Sequence, residues 1–389
     1  MSQPRTSPDV LTMIRELVAL PSVSSAKPEL DMSNRGVIDR LATWLDGMGF
    51  AVEILPLPEQ PHKANLIATL GRGPGGLVLS GHTDTVPWDD GLWQHDPFGG
   101  VEADGRIYGL GTTDMKSFFA LATQAASRFR AADLKEPLIL LATADEETSM
   151  AGVRALVDAQ KPKARYAVIG EPTNMRPIRM HKGIFSTAVE LRGRSGHSSN
   201  PALGVNALEG MHHVIAALLR WREALQAQHH HPAFEVPVPT MNLGHIHGGD
   251  NPNRICGHCH LHVDFRPLPG MHNATLQRQL REQVEEAARD WDPRLGVDVL
   301  SLFDGIPPFE TPADSEIVRV AEALTGAQAE AVGFGTEGPF LAELGLEAIV
   351  LGPGDIDLAH QPNEYLSTAQ IKPTLRLLER LIERFCVRP

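Results

Sequence analysis

The feature that most constrains the fold is a set of short apolar runs, each ending at an acidic or histidine-bearing turn. Leu77-Val-Leu-Ser-Gly-His-Thr-Asp84 is of strand length, and its last residues put an imidazole and a carboxylate where a strand leaves a sheet. Gly109-Leu-Gly-Thr-Thr-Asp114, Leu138 to Ala144 before Asp145-Glu146-Glu147, and Tyr166 to Gly170 before Glu171 repeat the pattern. In an open α/β sheet, ligands bind beyond the carboxyl ends of the strands. The sequence therefore predicts one acidic, histidine-containing cluster suited to divalent cations.

Helical stretches alternate with these runs. Apolar residues Val10, Leu11, Ile14, Leu17 and Val18 follow Ser7-Pro8 as a capped amphipathic helix, and a second helix spans about Asp31 to Met48. Strands near Ala51–Leu55, Asn65–Leu70 and Leu77–Ser80 precede a helix from Asp114 to about Ala131, a strand Leu138–Ala144, a helix near Ala151–Ala159 and a strand Tyr166–Gly170. This order predicts an α/β/α domain around a largely parallel sheet.

Between about Met180 and Phe303 the grammar becomes β-α-β-β-α-β: Phe185–Leu191, Val205–Leu225, Thr240–Ile246, Ile255–Phe265, Asn273–Trp291 and Val297–Leu302. That is the ferredoxin-like α+β pattern, complete in itself. The first grammar then resumes with a helix from Asp314 to Leu324, strands at Ala329–Val332 and Ala348–Leu351, and a helix from Ile371 to Phe385. The expected organisation is residues 1–179 and 304–389 as one discontinuous domain, with 180–303 inserted. Pro307-Pro308 and Gly193 to Pro201 are the expected neighbourhoods of the crossings.

A chain of 389 residues exceeds what one core usually serves, which agrees with two domains. The net charge of -13 and the lack of a Lys/Arg block exclude a nucleic-acid footprint. No apolar run reaches a membrane span and the N-terminus lacks a signal-peptide core, so a cytoplasmic protein is expected. Cys256, Cys259 and Cys386 are odd in number, as reduced thiols would be. In a strand Ile255–Phe265, Cys256, His258, His260, His262 and Asp264 share one face and Cys259 points to the other, so Cys256-Gly-His-Cys259 reads as packed thiols. The histidine row is expected to be solvated or at a subunit contact, and His229-His230-His231 to be a polar loop.

Several residues carry chemistry. His82 reads as a metal ligand, with Asp84 accepting from its other ring nitrogen to fix the tautomer. Of two adjacent glutamates, Glu146 and Glu147, one can bind metal while the other takes a proton from an activated water. Asp114 reads as a ligand or a helix N-cap, and Glu171 before Pro172 as a ligand or a turn residue. His360 sits in the Gly/Pro-rich loop after Leu351. Asp114, Glu147 and Glu171 carry the charge that balances two divalent ions sharing one hydroxide. Imidazole with carboxylate suits zinc, with cobalt or manganese as alternatives.

On these residues the chain resembles the acetylornithine deacetylase, succinyl-diaminopimelate desuccinylase and aminoacylase family of dinuclear zinc hydrolases. The landmarks are Ser80–Asp84, Gly109-Leu-Gly-Thr-Thr-Asp-Met-Lys116, Ala144–Glu147, Gly170–Thr173, Gly196-His-Ser198, His247–Cys256, Asp264–Gly270, Leu351–Gly354 and Ala359–Pro362. The resemblance implies that Asp114 bridges two ions, that His82 and Glu171 complete one, and that Glu147 and His360 complete the other. It implies Glu146 as general base, Asp84 as the residue orienting His82, and His197 as an oxyanion donor delivered to the partner subunit's site by a dimerising inserted domain. The implied reaction is hydrolysis of an N-acyl amino acid, with N2-acetyl-L-ornithine in arginine biosynthesis expected first. A desuccinylase, a general acylase or dipeptidase of the same scaffold, and a non-catalytic metal-binding relative are the alternatives. Arg266, Asn253 and the Gly335–Gly338 segment with Thr336 are candidates for the substrate carboxylate, Arg266 being equally readable as a structural ion pair. Glu337 is the candidate for a substrate ammonium. Ser117, where the family motif usually has glycine, and Asp250 depart from the pattern.

Overall fold

The computed structural model describes residues 8–388. In chain order the first part contains α1 (Val10–Val18), α2 (Arg35–Gly47), β1 (Ala51–Pro56), β2 (Ala64–Leu70), β3 (Leu77–His82), β4 (Val101–Ala103), β5 (Arg106–Tyr108), α3 (Lys116–Ala126), β6 (Leu138–Thr143), α4 (Ala151–Asp158), β7 (Tyr166–Ile169) and β8 (Ile178–His181). The middle contains β9 (Ile184–Arg192), α5 (Ala207–Gln228), β10 (Thr240–Gly248), β11 (His258–Arg266), α6 (Asn273–Trp291), β12 (Gly296–Ile306) and β13 (Phe309–Glu310). The last part contains α7 (Glu316–Thr325), β14 (Glu330–Val332), α8 (Gly338–Glu343), β15 (Glu347–Val350), β16 (Tyr365–Ser367) and α9 (Thr368–Ile382).

Contacts divide the chain into two units. The first comprises residues 1–179, 311–330 and 336–389, and the second 180–310 and 331–335. The second crossing thus falls after Glu310 rather than Phe303. The reason is that β12 runs on to Ile306 and the chain adds β13, antiparallel to β8, before leaving. Gly193 to Pro201 is not a crossing; it is the second unit's own connection between β9 and α5.

In the first unit, β3 pairs in parallel with β6 and β7, and β15 pairs in parallel with β7. Every residue of β3, β6 and β7 is buried, as expected of strands covered on both faces. β2 and β1 extend this sheet antiparallel beyond β6. Because β3, β6, β7 and β15 run the same way, their carboxyl ends share one edge. Helices supply the covering layers: α1 buries Met13, Ile14, Leu17 and Val18, and α3 buries Phe118 and Phe119 in the same core. The cap of α1 is Asp9, whose Oδ1 accepts from the Leu11 and Thr12 amides at 3.1 and 3.2 Å; Ser7 lies outside the described residues. Gly170 marks a close approach of strand and helix, since a Cβ there would meet the Phe118 ring at 2.1 Å.

The second unit is a four-stranded antiparallel sheet ordered β10-β11-β9-β12, the 4-1-3-2 arrangement of the ferredoxin-like fold read from its other edge. One sheet face, with Val189, Leu191, Cys259, Leu261, Val263 and Phe265, packs on Met211, Val214 and Leu218 of α5 and Leu280 and Val284 of α6. Cys256 does not lie on the histidine face. The strand begins only at His258, so Cys256 precedes the alternation and is buried with Cys259 in this core. Burial pushes the Cys259 thiol up to about 11, consistent with packed, unreactive sulfur. No helix among the described residues is long and apolar enough to cross a membrane.

Candidate metal centre

The shared carboxyl edge gathers residues that are far apart in sequence. His82 ends β3, Asp145, Glu146 and Glu147 follow β6, Glu171 follows β7, and the loop after β15 carries His360. Asp114 comes from the turn before α3 and is joined to Met115 by a cis peptide bond. His82 Nε2 lies 2.9 Å from Asp114 Oδ1 and 3.9 Å from Glu171 Oε1. His360 Nε2 lies 3.3 Å from Asp114 Oδ2 and 3.0 Å from Glu147 Oε1. Asp114 therefore faces an imidazole with each oxygen, between a His82–Glu171 side and a His360–Glu147 side.

The electrostatics show what this arrangement lacks when it stands alone. Burial, then Asp114 and Glu147, push Glu171 well above the usual carboxylate range despite His82. Burial also raises Glu146 well above that range, with His82 opposing and Glu171, Glu147 and Glu337 reinforcing it. Hydrogen bonds to Asp114 and Glu147 hold His360 up at about 10. Burial disfavours charge on His82, yet Asp114, Glu171 and Asp84 outweigh it and raise the imidazole well above its ordinary value. A cluster that gathers protons so strongly has surplus negative charge and open acceptor atoms, which divalent cations would satisfy. Donor atoms of His82, Asp114 and Glu147 lie within 4.8 Å of one another, the spacing of groups that could hold one ion.

The chain belongs to peptidase family M20/M25/M40. The model of that family matches residues 78–384, a span that contains every member of the cluster. Solved structures agree on the fold. An M20 family metallo-carboxypeptidase from Sulfolobus solfataricus superposes with a TM-score of 0.76 at 16% identity, covering 97% of this chain and 99% of that one. Aminopeptidase PepT from Bacillus cereus superposes at 0.74 with 20% identity, covering 97% and 98%. A dinuclear metal-binding M20 peptidase from Bacillus subtilis superposes at 0.66 with 14% identity, covering 97% of each chain. This M20 chain is accordingly a hydrolase of amide or peptide bonds, and its residues fit the family's dependence on metal.

The supporting contacts differ from the sequence-based expectation at Asp84. His82 Nδ1 meets the main-chain oxygen of Asp84 at 3.0 Å, while the Asp84 carboxylate stands 3.7 Å away. That carboxylate instead accepts from the amides of Glu146 and Glu147 at 3.3 and 3.1 Å. Two residues after His82 the backbone carbonyl is better aligned with the ring, and the side chain is free to fix the turn that aims both glutamates. Burial pushes Asp84 up to about 6. The same turn is anchored from behind by Lys63, whose Nζ lies 2.7 Å from both Asp145 and Asp31, and by Ser24 Oγ at 2.9 Å from Asp145.

Sequence reasoning gave no role to Glu364. Its buried carboxylate accepts from the amides of Gly111, Thr113 and Asp114 at 3.0, 2.7 and 3.0 Å, holding the loop that presents Asp114. The signal available was its place four residues after His360, just beyond the Ala359–Pro362 motif; the partners are some 250 residues away in sequence. We expect Glu364→Ala to strand three buried amides, costing about 1–3 kcal/mol, and to weaken metal affinity by about 10–100-fold, the usual effect of losing a group that orients a ligand. Metal titration monitored by calorimetry checks this; unchanged affinity would separate Glu364 from the centre.

The expected substrate contacts fare differently. Glu337 and Thr336 are buried, at 1% and 0% exposure, because the chain turns there into α8. Glu337 faces the hydroxyls of Ser80 and Thr143, its oxygens make no hydrogen bond of normal geometry, and burial pushes it up to about 7. Glu337 thus stands as a buried carboxylate near His82, Glu146 and Glu171. Thr336 Oγ1 accepts from the Gly338 amide at 3.1 Å and is likewise turned inward. In the second unit, Arg266 Nε pairs with Asp264 at 2.9 Å, and Asn253 is exposed, its carbonyl accepting from the Ser198 amide at 3.0 Å. His197 is exposed, with Nδ1 2.8 Å from Ser199 Oγ. Ser117 is buried in the first turn of α3, and Asp250 is ion-paired with Arg254 on the surface.

Proposed function

We propose that this M20 hydrolase cleaves the amide of N-acyl amino acids, with N2-acetyl-L-ornithine as its substrate and L-ornithine and acetate as products. The observation that carries the reaction is a glutamate left over. His82, Asp114 and Glu171 on one side and Glu147 and His360 on the other form a ligand set for two ions, and Glu146 stands beside them with its carboxyl uncommitted. Divalent ions held there, zinc first by donor type with cobalt or manganese as alternatives, supply Lewis acidity and make a water acidic near neutral pH.

Glu146 then has a defined task. Its carboxylate accepts the proton of that water as the oxygen adds to the acyl carbon. It returns the proton to the amide nitrogen as the C–N bond breaks, so the amine leaves neutral and acetate retains the new oxygen. Asp84 keeps Glu146 and Glu147 in position through their amides. On this reading the protein is a homodimer through the inserted unit, and His197 of the partner subunit donates to the carbonyl oxygen. Arg266 and Asn253 remain the groups proposed for the substrate carboxylate.

The substrate assignment is supported by the motif set from Ser80–Asp84 to Ala359–Pro362, and it places the enzyme in arginine biosynthesis. Amine release from acetylornithine, acetylmethionine and succinyl-diaminopimelate, compared on zinc-loaded protein, tests it. We expect kcat/KM for acetylornithine to exceed the others by about ten-fold or more. Preference for either competitor would overturn the substrate while leaving amide hydrolysis in place.

A further inference from the structure

The histidine row of β11 acquires partners that its own sequence does not reveal. β10 pairs with β11 antiparallel, Leu243 opposing Val263 on the helix-covered face. At Gly244 the register shifts by one residue, so His245 opposes His262 and His247 opposes His260. A β-bulge of this kind moves every later side chain to the opposite face. Without it His245 and His247 would point towards the helices; with it they join His258, His260 and His262 on the open face.

The result is a packed cluster of imidazoles. The rings of His245 and His260 stack with centroids 5.2 Å apart, and His245 to His262 and His260 to His262 measure 4.9 and 5.5 Å. His245 Nε2 and His260 Nε2 are 3.1 Å apart. Two nitrogens bound to one ion at about 2.0–2.1 Å stand about 2.9–3.4 Å apart between square and tetrahedral geometry, so the pair already has the spacing of a chelate. The surrounding charge agrees. Glu190 opposes His260 across the β9 pairing and lies 3.8 Å from His258, while Arg192 on the same face is ion-paired with Asp298. Partial burial, followed by the neighbouring imidazoles, lowers the pKa of His260, which favours the neutral ring that ligates metal.

We propose that this face binds a divalent transition-metal ion through the His245–His260 pair, with solvent completing the coordination, distinct from the ligand set of the first unit. A pair of imidazole donors follows the order that places Cu²⁺ above Ni²⁺ and Zn²⁺.

The test uses the full chain loaded with zinc and freed of excess metal, titrated with Cu²⁺ and followed by electron paramagnetic resonance together with zinc release. One Cu²⁺ per chain should bind with nitrogen hyperfine structure while zinc is retained. His245→Gln and His260→Gln should each weaken it by about ten-fold or more, leaving amidohydrolase activity unchanged. A variant with His229, His230 and His231 all replaced by Gln should bind as the parent does. The proposal is overturned if copper binds only as zinc leaves, if neither His245→Gln nor His260→Gln affects binding, or if the signal is lost with the His229–His231 replacement instead.

Discussion

Glu146→Gln is expected to abolish nearly all turnover while the protein keeps its fold and metal. Glutamine preserves the size of the side chain and the turn held by Asp84, whose contacts are to the amide of residue 146 and not to its carboxyl. What it removes is the proton acceptor. General acid–base groups contribute about 10²–10⁴-fold, and here one carboxyl serves both the attacking water and the leaving amine, so kcat should fall towards the larger figure with KM little changed. Glu147→Gln should behave differently, because Glu147 pairs with His360 at 3.0 Å and stands in the proposed ligand set. Its loss should appear first as lowered metal content. If Glu146→Gln retained substantial turnover, or if it lost metal as Glu147→Gln does, the division of labour between the two glutamates would be wrong.

The largest effect on stability is expected at Lys63, outside the ligand set. Its ammonium is enclosed between Asp31 and Asp145, and its side chain and that of Asp145 are each only 2% exposed. Removing one partner of a buried ion pair leaves the other charge uncompensated, which costs about 3–5 kcal/mol. For a chain of this size Lys63→Met should lower the thermal midpoint by about 4–6 °C. Adding Asp145→Asn should recover part of that loss, since the stranded charge is gone. Asp145 adopts the left-handed conformation, with φ of 57°, immediately before the two glutamates, so a loosened anchor should also reduce turnover. Thermal denaturation of the single and double variants decides it; a shift under about 2 °C would show that water replaces the lysine.

The cluster was legible because each of its members sits at the end of a strand or in a glycine-rich turn, and short motifs carry that information locally. His82, Glu147, Glu171 and His360 follow parallel strands whose apolar runs are continuous, so one edge had to gather them. What stayed hidden depends on distance or register. Glu364 acts on amides some 250 residues away, and nothing in its neighbours announces them. The Asp84 carboxylate was assigned to the ring nitrogen that its own carbonyl takes, since spacing alone does not distinguish the two oxygens. The burial of Glu337, at the N-cap of α8, was not apparent from its sequence neighbours. The strands β4, β5 and β16 span only three residues each, too few for a period to appear. In the second unit the alternation of β11 was clear, but a single glycine bulge in the adjacent strand decides that five imidazoles share a face.

The central claim is that the five donors hold two ions on which amide hydrolysis depends. It is tested most directly by measuring metal content and amine release together, on zinc-reconstituted protein before and after chelation and on Asp114→Ala. We predict about two ions per chain with acetyl-amino-acid hydrolysis, both lost on chelation and restored by zinc, and both lost in Asp114→Ala because that carboxylate faces both sides of the site. Hydrolysis that survives chelation, or a full complement of metal in Asp114→Ala, would contradict the account.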